Sequence, residues 1–213
     1  MFISFEGTEG SGKTTQIKAT YTALQKAGYD VLLTREPGGT TISDNIRSLL
    51  LDKPTGKQAM HPRTELLLFC ASRAQLVNEV IVPYLDDGGI VLCDRYADST
   101  LAYQGYGHGL PVDALRTILD FATGGLYPDL TVYLDLIPQK GLARRRLGQL
   151  KFGEDWNRLD DMELAFHERV YAGYQTIIAG DEKRFLRVDA DHDADTVQKN
   201  LLAQLLPALP SLA

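Results

Sequence analysis

The chain has 213 residues and a net charge of -6 at pH 7, and 44% of its residues are hydrophobic and 23% charged. These proportions are ordinary for a soluble globular protein, and the length predicts a single domain over residues 1–213. The acidic charge argues against a nucleic-acid-binding protein, which usually carries a basic face, but not against small anionic substrates held by a few arginines.

A glycine-rich loop follows the first predicted strand. Residues 2–5 are predicted as a short buried strand, residues 7–14 match G-x-x-x-x-G-K-[ST], and a helix is predicted from residue 14. Backbone N–H groups of such a loop converge on phosphates, and the helix N-terminus adds positive potential. Lys13, which we expect to be exposed, can reach the β- and γ-phosphates of a nucleoside triphosphate, and the Thr14 hydroxyl can bind Mg²⁺. The alternative, a glycine-rich turn that binds nothing, is disfavoured by the strand and the helix on either side. The loop residues expected to bind the nucleotide are Gly7, Thr8, Glu9, Gly10, Ser11, Gly12, Lys13 and Thr14.

Strands and helices are predicted to alternate along the rest of the chain. Further strands are predicted at residues 30–34, 90–93, 130–136 and 185–188. Helices are predicted at residues 14–27, 41–51, 63–85, 99–104, 111–122, 138–150, 160–179 and 195–206. Pro83 should end or bend the long third helix, and residues 151–158 are predicted as a loop. This order predicts an α/β fold, with a five-stranded parallel sheet and helices on both of its faces.

Ligands of such sheets bind at the carboxyl ends of the strands. This rule brings the glycine-rich loop, Arg35, Asp94 and Arg95 to one rim of the predicted sheet. Asp94 is then a candidate to hold Mg²⁺ and its hydration shell, and the alternative is an aspartate that caps a helix. Arg95 has the planar fork that suits a phosphoryl group passing between donor and acceptor.

Four sequence segments together carry a family resemblance. They are the loop at 7–14 followed by Thr15, the segment Arg-Glu-Pro-Gly-Gly-Thr at 35–40, Leu-Phe-Cys-Ala at 68–71 with Arg73, and Asp-Arg-Tyr at 94–96 followed by Ser99, Ala102, Tyr103 and Gln104. On these segments the chain resembles the bacterial thymidylate kinases over essentially its whole length. The resemblance implies a P-loop fold, ATP and Mg²⁺ as cofactors, and phosphorylation of thymidine 5′-monophosphate to the diphosphate for dTTP synthesis. It also implies a homodimer, and it adds Thr15 to the residues that bind the nucleotide.

The resemblance implies a base-binding role for one helix face. Phe69 and Arg73 are four residues apart and so share a face, where a ring could stack on the base and a guanidinium could donate to its carbonyl. From the residues alone, core packing for Phe69 and a surface salt bridge for Arg73 would be the simpler interpretation.

The same resemblance implies the remaining substrate contacts. Ser99, Thr100 and Gln104 would hydrogen-bond the thymine, and Tyr103 would lie against C2′ of the sugar and exclude a ribose hydroxyl. Arg35 would hold the monophosphate. Glu9 would reach the 3′-hydroxyl of the acceptor, which gives a reason for an acidic side chain inside a phosphate-binding loop.

A lid is expected at about residues 141–160. The loop at 7–14 lacks an arginine, so the chain resembles the form of the family whose arginine lies in the lid. Adjacent arginines on a helix point about 100° apart, so Arg144, Arg145 and Arg146 cannot all face the γ-phosphate. With Lys151 and Arg158 these three are the candidates; we favour Arg146 as the catalytic one and Arg158 as the second candidate, and a solvated basic helix face is the alternative. The lid departs from the family at 151–157, which looks longer, and Asn157 stands where an aspartate is common.

The remaining features predict a cytoplasmic protein without membrane or nucleic-acid partners. Cys70 and Cys93 lie in apolar segments and are expected to be buried, reduced thiols. The N-terminus has no signal-peptide pattern, and no apolar run was found that approaches the ~20 residues of a membrane span. Two other functions stay open: a kinase for another nucleotide or nucleoside, and a nucleotide-hydrolysing regulatory protein. Against the second, no Asn-Lys-x-Asp motif is present.

Overall fold

A five-stranded, all-parallel sheet forms the centre of the computed structural model, which describes residues 1–51, 60–152 and 158–211. The strands lie in the order β2-β3-β1-β4-β5. Their bounds are β1 Phe2–Glu6, β2 Val31–Arg35, β3 Ile90–Asp94, β4 Leu130–Asp135 and β5 Phe185–Asp189. The predicted α/β fold is confirmed, and each predicted strand is present with its ends shifted by one residue or none.

β1 lies in the middle of the sheet, and its side chains are buried on both faces. Phe2 packs with Tyr96 and Tyr133 in one hydrophobic core. Ile3 and Phe5 belong to a second core on the opposite face. A strand covered on both faces is typical of a parallel sheet between two layers of helices.

The helices of the described residues cover both faces of the sheet. Their bounds are α1 Lys13–Lys26, α2 Thr41–Leu51, α3 Pro62–Leu76, α4 Val82–Asp86, α5 Ala97–Thr100, α6 Val112–Thr123, α7 Pro138–Phe152, α8 Leu164–Gly180 and α9 Ala194–Leu205. The helices predicted at 63–85 and 99–104 each contain π-helical turns, at Val77–Ile81 and Leu101–Gly107. Pro83 does not end its helix, because the chain widens into a π-helical segment just before it and then continues as α4. Of the predicted loop at 151–158, residues 151–152 extend α7 and 153–157 lie outside the described residues.

The helical segment from α3 to α4 also corrects the expectation about apolar runs. Pro62–Asp86 is long and apolar enough to cross a membrane by length and composition, with a mean hydropathy of 1.3 in its best window. Its side chains Leu66, Leu76 and Ile81 are buried in the first core. The pattern therefore fits a core helix that packs against the sheet.

The strand register brings the predicted functional segments to one rim. Phe5 on β1 pairs with Asp94 on β3, and Arg35 on β2 pairs with the same aspartate. β1 leads into the glycine-rich loop and β3 leads into Arg95. Arg35, Asp94 and the loop consequently lie side by side at the carboxyl edge of the sheet.

Candidate active site

The glycine-rich loop joins the carboxyl end of β1 to the N-terminus of α1. Gly7 has a φ of 147° and Gly12 a φ of 90°. A Cβ atom on Gly7 would lie 2.7 Å from the carbonyl oxygen of Leu134 and 2.8 Å from Ser11 Oγ. Only glycine adopts these angles readily and leaves this space free. The loop thus directs its backbone N–H groups and the start of α1 toward a place that suits an anion.

Lys13 is buried, which corrects the expectation of an exposed loop lysine. It is the first residue of α1, and its Nζ donates hydrogen bonds to the carbonyl oxygens of Gly7 and Thr8, each at 2.8 Å. Burial, with the charge of Arg95 acting in the same direction, lowers the pKa of Lys13 to about 7. The ammonium group is therefore held close over the loop, where burial deprives it of hydration that a bound anion can replace.

Thr14 and Asp94 meet at this rim, as the metal-site prediction required. Thr14 Oγ1 donates a hydrogen bond of 2.8 Å to Asp94 Oδ2. Mg²⁺ prefers oxygen ligands and is usually held by one or two protein groups together with waters and phosphates. The hydroxyl and the carboxylate fit that requirement, and the described residues contain no cluster of three or more histidine, cysteine or acidic side chains that would offer a different metal site.

Arg95 connects the loop to the residues after β3. Its φ of 71° is the one positive φ of a non-glycine residue within the described ranges. That conformation costs about 1–3 kcal/mol and persists only where the surroundings hold it in place. Here the guanidinium donates to Ser99 Oγ and Tyr103 Oη, each at 3.1 Å, and approaches Glu9 Oε1 at 3.4 Å. The unusual backbone angle thus aims the guanidinium across the rim.

Glu9 is a buried carboxylate held from three sides. Tyr103 Oη donates to its Oε1 at 2.6 Å, and His167 Nδ1 lies 3.1 Å from its Oε2. Burial alone would raise the pKa of Glu9, but the hydrogen bond with His167 and the charges of Arg95 and Lys13 lower it to about 2. Glu9 is therefore ionised and fixed in position. Sequence reasoning missed His167, which lies on α8, 158 positions further along the chain.

A smaller cavity opens beside these residues, with an empty volume of about 320 Å³. It is lined by Glu36, Phe69, Arg73, Arg95, Ser99, Thr100, Tyr103, Gln104 and Leu159. All the residues assigned to the base, and Tyr103 assigned to the sugar, therefore lie around one space. Tyr103 is buried and hydrogen-bonded, and Phe69 is half-buried at the wall.

Arg73 is buried at the cavity wall, so the simpler interpretation of a surface salt bridge is wrong. Its Nε donates to Glu36 Oε2 at 2.8 Å, its Nη1 to Thr100 Oγ1 at 3.0 Å and its Nη2 to the carbonyl oxygen of Tyr96 at 3.1 Å. The Glu36 carboxylate outweighs burial and raises the pKa of Arg73. Nη2 also lies 2.6 Å from Glu36 Oε2, so the side chain is fixed, and the second N–H of Nη1 is the donor that remains for a ligand.

A larger cavity adjoins the smaller one. Its walls are formed by loop, β2–α2, β3 and lid residues: Glu9, Gly10, Gly12, Lys13, Thr14, Thr15, Lys18, Arg35, Glu36, Pro37, Arg47, Ser48, Leu51, Phe69, Asp94, Arg95, Arg144, Arg145, Leu159 and Asp160. Arg47, on α2, was missed by sequence reasoning, since no motif marks it. Burial and the neighbouring charge of Arg35 lower the pKa of Arg47, which indicates a concentration of positive charge at this wall.

The four lid arginines lie in different surroundings. Arg145 pairs with Asp160 through Nε at 3.1 Å and Nη2 at 2.7 Å. Arg144 Nη1 donates to the carbonyl oxygen of Ala190 at 2.8 Å, and both arginines line the larger cavity. Arg146 is exposed and does not line either cavity. Arg158 turns away from the glycine-rich loop and pairs with Glu65.

Glu6, at the end of β1, is a further buried carboxylate that sequence reasoning did not single out. It accepts hydrogen bonds from the Tyr96 N–H at 2.7 Å, from Ser99 Oγ at 2.6 Å and from Tyr174 Oη at 2.7 Å. An acidic residue that ends an apolar strand is the signal that could have identified it. Glu6 fixes the start of the segment that carries Ser99 and Thr100 into the smaller cavity.

Comparisons with known proteins agree with this arrangement. A family model described as thymidylate kinase matches residues 5–201. The thymidylate kinase of Roseiflexus castenholzii is 51% identical over 220 residues, which cover 100% of this chain and 95% of that relative. The thymidylate kinase of an Exiguobacterium species is 46% identical, covering 95% of this chain and 92% of that relative. The crystal structure of thymidylate kinase from Ehrlichia chaffeensis has a TM-score of 0.75 and 31% identity, covering 96% of this chain and 98% of that one.

Proposed function

The chain belongs to the thymidylate kinase family, and we propose that its two adjoining cavities hold ATP and thymidine 5′-monophosphate for direct transfer of the γ-phosphoryl group. The activity is the ATP-dependent phosphorylation of thymidine monophosphate, which serves nucleotide biosynthesis. The observation that carries the site assignment is the shared wall of the two cavities. Glu36, Phe69, Arg95 and Leu159 line both of them, so the acceptor phosphate and the donor phosphate can approach each other at Arg95.

On the donor side, the glycine-rich loop would bind the phosphates of ATP. Lys13 would turn its ammonium group from the loop carbonyls to the β- and γ-phosphates, whose negative charge compensates for its burial. Mg²⁺ would be held by Thr14 and Asp94, where it supplies positive charge against the phosphate oxygens. These groups act by position and charge, and no covalent enzyme intermediate is required.

On the acceptor side, Arg35 and Arg95 would hold the monophosphate between them. Glu9 would accept a hydrogen bond from the 3′-hydroxyl, since it is ionised at neutral pH and fixed by His167. Tyr103 would pack against C2′ of the sugar. Its hydroxyl is already committed to Glu9, so the ring cannot easily move aside for a ribose hydroxyl.

The smaller cavity would take the thymine ring. Phe69 would stack on the base, and Arg73 would donate to its 4-carbonyl. Ser99, Thr100 and Gln104 would form the remaining polar wall. The hydrogen bonds that hold Arg73 would keep its remaining donor aimed at the base edge.

The lid would exclude water and supply one further positive charge to the γ-phosphate. We place the lid at about residues 141–160 within one kinase domain spanning residues 1–213. Arg146 stays our prediction for the catalytic lid arginine. Arg144 and Arg145 are the alternatives that line the larger cavity, and single alanine variants of the three, compared by kcat, would identify the one that acts.

Transfer to four acceptors tests the substrate assignment. We expect kcat/KM to fall in the order thymidine, deoxyuridine, uridine and deoxycytidine monophosphate. Loss of the C5-methyl removes apolar contact worth roughly 1–3 kcal/mol, whereas an amino group facing Arg73 can cost up to ~10⁴-fold. A deoxycytidine monophosphate rate above that of deoxyuridine monophosphate would show that Arg73 does not read a carbonyl. Phosphate released to water without an acceptor product would favour the nucleotide-hydrolysing alternative.

We also propose a cytoplasmic homodimer. Cys70 and Cys93 are buried and free, which suits a reducing compartment. Phe121 on α6 is 91% exposed and Leu67 on the adjoining α3 is 58% exposed, so these neighbouring helices offer apolar area for a second copy. Light scattering of Phe121→Glu against the wild type would test the dimer: a monomeric variant supports this surface, and an unchanged mass excludes it.

A further inference from the structure

A buried carboxylate lies behind the smaller cavity, outside every motif that the sequence revealed. Glu65, near the start of α3, is fully buried. Its Oε1 accepts a hydrogen bond of 2.6 Å from Gln104 Nε2, and its Oε2 accepts one of 2.5 Å from Arg158 Nη2. His108 Nε2 lies 3.3 Å from Oε1. Glu65 does not line either cavity, whereas Gln104 lines the smaller one.

The surroundings of Glu65 keep its carboxyl group ionised. Burial alone would raise the pKa, but the close approach of His108 and the charge of Arg158 hold the pKa of Glu65 below its ordinary value. An ionised carboxylate can only accept hydrogen bonds. The group of Gln104 that faces Glu65 must therefore be its NH₂.

This constraint decides what Gln104 presents to the cavity. The carboxamide is planar and has one donor end and one acceptor end, so binding the NH₂ to Glu65 leaves Oε1 as the other end. Within the described parts of the chain, Gln104 Oε1 accepts no hydrogen bond, although Gln104 is 2% exposed. The cavity wall thus offers an acceptor from Gln104 beside the remaining donor of Arg73.

We propose that Glu65 is a positioning residue that sets base selectivity, because it holds the Gln104 carbonyl toward the acceptor base. The proposal rests on the proposed function, in which the smaller cavity takes the base. A 4-oxopyrimidine offers a carbonyl for Arg73 and an N3–H for Gln104. A 4-aminopyrimidine inverts both groups: its amino group faces the guanidinium, and its bare N3 faces the Gln104 oxygen. A carboxamide free to rotate would tolerate the second pattern, and Glu65 prevents that rotation.

Arg158, a lid residue, is bonded to the same Glu65 carboxylate that binds Gln104. Its guanidinium also donates to the carbonyl oxygen of Leu50 at the end of α2, with Nε and Nη2 each at 3.3 Å. The neighbouring Leu159 lines both cavities. Arg158 therefore joins the segment before α8 to the carboxylate that orients Gln104.

The test compares kcat/KM for thymidine and deoxycytidine monophosphate in Glu65→Gln and in the wild type. The substitution keeps the size of the side chain but gives it an amide that can donate or accept, so Gln104 is free to turn. We expect the ratio of thymidine to deoxycytidine monophosphate activity to fall about tenfold or more, with the KM for ATP unchanged. Asp98→Asn is the matched control, because Asp98 is also buried and bonded to an arginine, Arg184, at 2.7 Å. It should lower the melting temperature but leave the ratio as in the wild type.

A double variant, Glu65→Gln with Gln104→Glu, provides the rescue. A carboxylate at position 104 presents an oxygen to the base whichever way it turns, and the amide at position 65 can donate to it. The ratio should then recover relative to Glu65→Gln alone. A ratio that is unchanged in Glu65→Gln, or that falls equally in Asp98→Asn, would overturn the proposal. A wild type that does not phosphorylate thymidine monophosphate would instead overturn the proposed function.

Discussion

The smaller and the larger cavity hold their polar groups in different ways, although they share a wall. In the smaller cavity Arg73, Tyr103 and Gln104 are buried, and each is tied to a carboxylate that is itself buried. In the larger cavity Arg35 has a side chain 57% exposed and pairs with an equally open Asp44. Buried groups cannot be replaced by water, whereas exposed charges are solvated and worth little individually. Substitutions in the smaller cavity should therefore have large and selective effects, and those of exposed charges without an assigned substrate contact, such as Lys18, small ones.

Lys13 is the main exception in the larger cavity, because it is buried and held by the loop backbone. Lys13→Ala should lower kcat by about 10³-fold or more, since it removes a fixed charge from the transferred phosphate. Steady-state kinetics measures the loss. Lys18→Ala, an exposed lysine of the same cavity, is the control and should stay within a few-fold of the wild type. Activity retained in Lys13→Ala would remove the glycine-rich loop from the mechanism.

Arg73→Ala should show the selectivity expected of the smaller cavity. We expect kcat/KM for thymidine monophosphate to fall roughly 10²–10³-fold while the KM for ATP changes little. The variant also leaves Glu36 buried without its partner, so thermal stability must be measured in parallel. Arg184→Ala, which breaks the ion pair with Asp98, controls for that loss. An equal loss for both nucleotides would mean that Arg73 supports the fold and not the base.

Gly141→Ala probes the contact between the glycine-rich loop and the lid helix α7. A Cβ atom on Gly141 would overlap the carbonyl oxygen of Glu9, and one on Gly10 would overlap the carbonyl oxygen of Gly141. The added methyl group should push the loop away from α7 and lower kcat roughly ten- to a hundredfold, because Glu9 would be displaced from its position in the site. Gly180→Ala, whose added Cβ would meet nothing within 4 Å, should have wild-type kinetics. Equal kinetics of the two variants would show that the loop tolerates the shift.

The pKa of Lys13 predicts how ATP binding depends on pH. In the free protein this pKa is about 7, and the phosphates of ATP should raise it, so binding above pH 7 takes up a proton. Affinity should then fall by up to about tenfold per pH unit between pH 7 and 9, and Lys13 should add no dependence below pH 7, where it is already charged. Titration calorimetry in two buffers of different ionisation enthalpy measures the uptake. Binding at pH 8 without proton uptake would show that Lys13 is charged in the free protein.

Arg146→Ala tests whether the lid arginine that was chosen from the sequence acts on the γ-phosphate, although its side chain is exposed in the fold. Arg146 is exposed and lines neither cavity, so closure of the lid must bring it to the γ-phosphate if it is the catalytic lid arginine, as we propose. Arg146→Ala should then lower kcat about tenfold, and Arg145→Ala, which opens the pair with Asp160, should cost less. A change of only two- to threefold in Arg146→Ala, with a larger loss in Arg145→Ala, would assign the role to Arg145 instead.

The features that the sequence predicted correctly depend on neighbours in the chain. The loop at 7–14 is a local motif, and its backbone angles follow from its own glycines. Phe69 and Arg73 share a helix face because they are four residues apart. The exposure of side chains was not predictable in this way: Lys13 was expected to be exposed and is buried, and the residues alone favoured a surface position for Arg73, which is also buried. Burial depends on what packs over a residue, which local spacing does not contain.

The sequence by itself therefore determined the alternating strands and helices and the phosphate-binding loop, and the family resemblance added most of the residues that line the smaller cavity, but not Glu36 or Leu159. Only the tertiary structure decided how those residues are held. Glu9 is fixed by His167 and Gln104 by Glu65, and these contacts join positions 158 and 39 apart in the chain. Glu9 follows β1 and His167 lies on α8 after β4, the neighbour of β1 in the sheet, whereas Glu65 lies on α3 after β2 and Gln104 follows β3, the neighbour of β2. No local pattern marks His167 or Glu65, since each hydrogen bond is made by elements that become neighbours only when the sheet is formed.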